Sequence, residues 1–155
     1  GSPVTSYTVT ASPGGKTCVR AAGPLTCTVT GLTNGTAYTF TVNATNVAGT
    51  SPASTASAPV TPKAVPGAPT GVSATRGNTS AVVTWVAPAS TGGAPITGYT
   101  VTASPGGNTC AWSAGPLQCS LSGLANGTPY TFTVVAVNSA GAGPASLPST
   151  AGTPG

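Results

Sequence analysis

The sequence predicts an all-β protein that builds the same β-sandwich unit twice. Apolar and polar residues alternate with period two, as in Tyr99–Ser104 and Tyr130–Val137, which is the pattern of strands with one buried face. Clusters of Gly, Pro and Asn interrupt these runs at the spacing expected between the strands of a sandwich. No window shows a capped apolar stripe of period 3.6, so we predict essentially no helix.

An internal repeat sets the domain organisation. Tyr7, Cys18 and Tyr38 recur 92 positions later as Tyr99, Cys110 and Tyr130, and residues 1–63 align with 93–155 without a gap. A repeat of this length is the size of a small β-sandwich and too long for a solenoid unit. We therefore predict a partial domain over 1–62, a Pro-containing linker over 63–68 and a complete domain over 69–155.

The alternating runs and the turn residues between them place each strand. In the first copy the predicted strands are 4–12, 16–21, 25–30, 36–46 and 54–61. In the second copy they are 69–76, 79–86, 96–104, 108–113, 117–122, 128–138 and 146–153. Residues 66–92 have no counterpart in the first copy, which leaves it two strands short and with an open apolar face. Either the sequence is cut from a longer repeat array, or strands from a neighbouring chain complete this copy.

Composition narrows the function classes. The chain has 155 residues with 4 Lys+Arg, no Asp or Glu and no His. It therefore lacks carboxylate and imidazole side chains for acid–base catalysis or metal binding, and we expect no enzyme and no cofactor. The four cations are scattered, which argues against nucleic-acid binding. No apolar run approaches the length that spans a bilayer, so we expect no membrane insertion.

The four cysteines predict two disulfides, Cys18–Cys27 and Cys110–Cys119. Each pair flanks a Gly-Pro turn between the fourth and fifth strands, which brings two sulfurs across a hairpin-like connection. A zinc site would need further ligands, and a catalytic thiol would need a histidine. Persistent disulfides indicate an oxidising compartment, so we expect a secreted or cell-surface protein.

Several ordered motifs in the second copy resemble the fibronectin type III family. They are PGAPTGVSAT at 66–75, AVVTWVAP at 81–88, ITGYTVTA at 96–103 and GLANGTPYTFTVVAVNSAG at 123–141. The resemblance implies an immunoglobulin-like β-sandwich in which Trp85 and Tyr99 are core residues and Leu124 and Tyr130 form the tyrosine corner. The first copy carries the counterparts Tyr7, Leu32 and Tyr38 but has no counterpart of Trp85.

Two further sets of residues are candidate sites. Asn34, Asn43, Asn78 and Asn126 begin Asn-x-Ser/Thr glycosylation sequons, although such sequons arise by chance in a Thr-rich chain. The Asn-Gly pairs at 34–35 and 126–127 are also what the corner turn requires. Trp112 either contacts a sugar or a partner protein, or packs over the disulfide or the sheet edge.

These observations predict a non-catalytic extracellular structural module from a longer repetitive protein. The leading interpretation is a fibre, stalk or adhesin whose partners are copies of itself or neighbouring domains, joined in one version by strand complementation. The alternative is a spacer in a secreted polysaccharide-degrading enzyme, as the family resemblance allows. Carbohydrate binding has no supporting motif in the chain.

Overall fold

The computed structural model describes residues 1–21 and 23–155, which form two compact units, Gly1–Pro62 and Lys63–Gly155. Every regular element among the described residues is a β-strand, as the alternating sequence predicts. The first unit contains one four-stranded antiparallel sheet in the order β2-β1-β3-β4. Its strands are β1 (Ser6–Ser12), β2 (Thr17–Arg20), β3 (Thr39–Asn46) and β4 (Gly49–Thr50).

The second unit contains two antiparallel sheets, as expected for a sandwich. Its strands are β5 (Thr70–Gly77), β6 (Ser80–Val86), β7 (Ile96–Ser104), β8 (Thr109–Trp112), β9 (Gln118–Ser122), β10 (Thr131–Asn138) and β11 (Gly141–Ala145). One sheet has the order β5-β6-β9 and the other β11-β10-β7-β8. Strands β1, β2 and β3 of the first unit are therefore the repeat counterparts of β7, β8 and β10.

The inward side chains of the two sheets in the second unit form one hydrophobic core. Val83, Val101 and Val134 are fully buried and Phe132 is 1% exposed, so the alternation read from the sequence corresponds to a real inner face. The core consists of Ala81, Val83, Trp85, Tyr99, Val101, Ala103, Leu121, Leu124, Tyr130, Phe132, Val134 and Ala136.

The strands predicted at 54–61 and 146–153 are wrong. These segments run beside β3 and β10, but only every third residue of each segment forms a backbone hydrogen bond with the strand, whereas in a regular strand every second residue does. In the second unit the amides of Ser146, Ser149 and Gly152 donate to the carbonyls of Val134, Phe132 and Tyr130. In the first, Ser51, Ser54, Ser57 and Val60 do the same along β3.

Serine hydroxyls complete this arrangement, which we call the serine ladder. The amides of Phe132 and Val134 donate to Ser149 Oγ at 3.1 Å and Ser146 Oγ at 2.9 Å. Ser51, Ser54 and Ser57 accept from Ala44, Val42 and Phe40 in the first unit in the same way. Each hydroxyl thus accepts from a strand amide that a regular neighbouring strand would pair with a carbonyl.

The strand predicted at 25–30 is also wrong, since the structure has no strand there. Its repeat counterpart, β9, exists through its pairing with β6, and the first unit has no such neighbour among its described residues. The predicted linker 63–68 is held to the second unit. Ala64 and Gly67 donate to the carbonyls of Gly92 and Ser90, and Pro66 is fully buried.

Candidate interaction face

Three aromatic rings contact one another in the second unit. The ring centroids of Trp85 and Tyr99 lie 5.3 Å apart in a tilted pair, and those of Tyr99 and Trp112 lie 5.2 Å apart in a T-shaped pair. Trp85 comes from β6 while Tyr99 and Trp112 come from the opposite sheet, so these contacts join the two layers. Burial raises the pKa of the Tyr99 phenol above its ordinary value.

The two disulfides each join cysteines nine residues apart, and the one in the second unit connects two different sheets. In the second unit Cys110 lies on β8 and Cys119 on β9, which belong to different sheets, with their Cα atoms 6.2 Å apart. This bond therefore ties the two layers of the sandwich together. In the first unit Cys18 on β2 is bonded to Cys27, with a Cα–Cα distance of 6.1 Å.

Trp112 and its repeat counterpart Arg20 make the same hydrogen bond. Trp112 Nε1 donates to the carbonyl of Pro116 at 2.7 Å, and Arg20 Nε donates to the carbonyl of Pro24 at 3.1 Å. Both prolines belong to the Gly-Pro turn inside the disulfide loop. Trp112 is half-buried and packs against the Tyr99 ring. The shared role of Arg20 was not visible from the residue types.

The tyrosine corner is present in both units. The Thr33 amide donates to Tyr38 Oη at 3.0 Å, and the Ala125 amide donates to Tyr130 Oη at 3.1 Å. The hydrogen bond from Thr33 lowers the pKa of Tyr38 below its ordinary value, because it stabilises the phenolate. Both tyrosines are buried, and so is Leu124 at 1% exposure, whereas Leu32 is only half-buried.

The equivalent faces of the two units differ sharply in exposure. Val134 is fully buried in the core of the second unit, while its counterpart Val42 on β3 is 36% exposed. Tyr99 is 4% exposed, while its counterpart Tyr7 is half-buried. Leu25 is 79% exposed. Among the described residues of the first unit no second sheet covers this face, which agrees with its missing first two strands.

This uncovered surface contains an apolar groove of about 230 Å³, which we call the open face. Apolar atoms dominate its lining. The lining residues are Tyr7, Val9, Arg20, Leu25, Thr26, Cys27 and Val42. The open face is therefore the candidate functional site of the chain.

The four sequon asparagines have different surroundings. Asn34, Asn78 and Asn126 are exposed, and Asn43 is half-buried with its Nδ2 donating to the Ser51 carbonyl. Asn126 Nδ2 donates to Asn78 Oδ1 at 2.7 Å, and Asn126 Oδ1 accepts from the Thr79 amide. A glycan on Asn126 would use the nitrogen that now donates to Asn78. The structure does not bring the four sites together.

Other kinds of site were sought in the part of the chain that the structure describes. Residues 1–21 and 23–155 contain no group of three or more His, Cys, Asp or Glu side chains that could hold a metal ion. The same residues include no helix with the length and hydropathy of a membrane span.

Comparison with known proteins places the chain in a family. The fibronectin type III domain model matches residues 1–60 and 67–152. Chitinase A1 of Niallia circulans is 37% identical over 124 residues, which is 75% of this chain and 17% of that protein. The chain thus spans about a sixth of that curated relative.

Solved structures share the same fold. A crystal structure of titin domains is 24% identical with a TM-score of 0.59 and covers 98% of this chain, which spans 59% of that one. The FN1-FN3 domains of chicken CNTN1 are 22% identical with a TM-score of 0.53, covering 99% of this chain and 56% of that one. Together with the sandwich, the tyrosine corners and the buried tryptophan, the matches to both repeats show that this chain belongs to the fibronectin type III domain family.

Proposed function

We propose that the chain is a non-catalytic extracellular spacer, whose tandem units separate other domains of a longer secreted protein. The observation that carries this proposal is the 37% identity to a stretch of Chitinase A1 that makes up only 17% of that protein. A stretch that small leaves most of such a protein for other domains. This chain has no Asp, Glu or His to supply acid–base chemistry of its own.

The stability devices of each unit suit an extracellular spacer. A disulfide within each repeat persists in an oxidising compartment, which supports an extracellular location. In the second unit the disulfide joins the two sheets, and the serine ladder accepts hydrogen bonds from the Phe132 and Val134 amides of β10. A spacer must keep its length under stress, and cross-linking inside each small unit opposes its unfolding.

A chimeric chitinase tests the spacer proposal. Residues 1–155 would join a catalytic domain to a chitin-binding domain, and the control would carry a Gly/Ser linker of equal residue number. We expect higher activity on insoluble chitin with the folded spacer and equal activity on a soluble oligosaccharide. Retention of the isolated chain on insoluble chitin, or equal activity of both chimeras on the solid, would contradict the proposal.

A second candidate is a fibre building block that assembles by strand complementation. The open face favours it, because Val42 and Leu25 are exposed on a surface that the second unit covers with β6. Exposed apolar surface of this kind marks interaction sites. Sedimentation and electron microscopy of the chain over a range of concentrations test this candidate. Filaments that grow with concentration would support it, and a monodisperse monomer at every concentration would argue against it.

A further inference from the structure

The segment that carries the serine ladder in the first unit has the composition of an O-glycosylated stalk. Residues 51–62 have the sequence SPASTASAPVTP, which consists of Ser, Thr, Pro and Ala with one Val. Stretches rich in Ser and Thr with Pro are typical of O-glycosylated stalks in secreted proteins. The structure shows which hydroxyls of this segment are accessible to a glycosyltransferase.

The hydroxyls of the ladder serines are engaged in two hydrogen bonds each. Ser54 Oγ accepts from the Val42 amide at 3.0 Å and donates to the Thr55 carbonyl at 2.9 Å. Ser51 and Ser57 likewise accept from one amide of β3 and donate to the carbonyl of the residue that follows them. A sugar on one of these oxygens would remove the donated proton and displace the β3 amide. Each ladder serine is therefore protected while the segment stays on the strand.

The two threonines of the segment lie outside this hydrogen-bond pattern. Among the described residues, neither Thr55 nor Thr61 takes part in the hydrogen bonds that tie the segment to β3, which come from its three serines. Both threonines are exposed. In the second unit the equivalent residues Leu147 and Thr153 are exposed as well. Exposure at these two positions is therefore a property of the segment in both units.

We infer that Thr55 and Thr61 are O-glycosylation sites and that the serine ladder directs the sugar to them. In the transfer, threonine Oγ1 attacks the anomeric carbon of a sugar carried on a nucleotide or lipid phosphate. The bond from Oγ1 to that carbon forms, and the bond from the carbon to the phosphate oxygen breaks. The phosphate carrier leaves, and the hydroxyl proton passes to a base of the transferase. The inference rests on the extracellular location proposed above, because glycosyltransferases modify chains along the secretory route.

Sugars at these positions would suit a chain that has little charge. Only four side chains are charged, and Val60 beside Thr61 is 56% exposed. Surface charge keeps proteins soluble, and a glycan supplies hydration without charge. Because neither threonine is bonded to β3, the sugars leave the serine ladder and the sheet intact.

An enzymatic assay on the folded chain tests the inference. The chain is incubated with UDP-N-acetylgalactosamine and a secretory polypeptide N-acetylgalactosaminyltransferase, and electron-transfer mass spectrometry maps the modified residues. A synthetic peptide of residues 49–64, which has no sheet to bind, gives the intrinsic reactivity of each hydroxyl. We expect sugar on Thr55 and Thr61 in both. The ladder serines should react at least about 5-fold more slowly in the folded chain than in the peptide, because two hydrogen bonds hold each hydroxyl.

Matched exchanges separate the effect of position from that of residue type. Thr55→Ser should keep its sugar in the folded chain, whereas Ser54→Thr should accept sugar in the peptide and not in the folded chain. Leu147→Thr should add an acceptor to the second unit, next to the buried Ser146. Absence of sugar from Thr55 and Thr61 in the folded chain would overturn the inference, and so would equal modification of Thr55 and the Ser54→Thr position there. Either result leaves the spacer proposal standing, since that proposal is tested by the chimeric chitinase.

Discussion

Removing the Ser149 hydroxyl from the serine ladder should destabilise the second unit by more than the loss of an average hydrogen bond. Ser149 is 7% exposed, and its Oγ accepts from the Phe132 amide and donates to the Thr150 carbonyl. Ser149→Ala leaves a buried backbone N–H of β10 without a partner. An orphaned buried donor costs about 1–3 kcal/mol, against about 1 kcal/mol for an average exchanged hydrogen bond.

The first unit supplies a matched comparison for this substitution. Ser57 makes the same contact with the Phe40 amide at 3.1 Å, but Ser57 is exposed and water can replace its hydroxyl. We therefore expect Ser57→Ala to speed Phe40 amide exchange only a few-fold. Ser149→Ala should speed exchange at Phe132 roughly 5- to 150-fold, the equivalent of the same 1–3 kcal/mol.

Denaturation in guanidinium chloride, followed by tryptophan fluorescence, measures the effect on stability. Both tryptophans lie in the second unit, so the signal reports that unit alone. Leu147→Ala is the control, because Leu147 lies in the same ladder segment but is 86% exposed, and such changes stay within about 0.5 kcal/mol. If Ser149→Ala and Leu147→Ala shift the unfolding free energy equally, the hydroxyl does not have the role that we assign to it.

Further predictions concern the core, the disulfides and the titratable groups. Trp85→Ala should lower the unfolding free energy of the second unit by about 3–5 kcal/mol in the same assay. A loss below about 1 kcal/mol would show that the Trp85 ring contributes little to the stability of the core. Reduction should cost about 2.5–3 kcal/mol per disulfide while leaving 66–155 folded, and non-reducing peptide mapping should find Cys18–Cys27 and Cys110–Cys119 with no cross-pairing. Without Asp, Glu or His, the thermal midpoint should change by less than about 10 °C between about pH 2 and pH 8. Above about pH 10 the thermal midpoint should fall, because burial raises the pKa of Tyr99 and the folded chain retains a proton that the unfolded chain has lost. Tyr99→Phe should flatten that fall. An equal fall in both chains would contradict this cause.

The alternation of apolar and polar residues predicted most of the strands, because the apolar residues of that alternation also form the core. The runs at 96–104 and 128–138 became β7 and β10, whose inward valines pair in register as Val101 and Val134. The sequence could not show that Cys110 and Cys119 lie on different sheets. Their nine-residue separation fits a hairpin as well as a crossing between layers, and only the pairing of β9 with β6 decides it.

The serine ladder shows a second limit of such patterns. A period-two interpretation of 146–153 assigns alternate residues to one face of a strand, whereas the structure bonds every third residue of this segment to every second residue along β10. The usable signal was a serine at every third position, as in Ser51, Ser54 and Ser57 and again in Ser146 and Ser149. That spacing matches no regular element, so it acquires meaning only beside a strand whose amides need acceptors.

A comparison of residues 26–30 with 118–122 shows how a missing neighbouring strand changes the structure of a segment. The two segments occupy equivalent repeat positions and alternate in the same way, yet only 118–122 is a strand. A strand without a neighbour has no ladder of hydrogen bonds, so its conformation depends on residues far away in the chain. The local sequence of 26–30 therefore favours an extended, alternating segment, and a neighbouring strand is needed for this segment to form a β-strand.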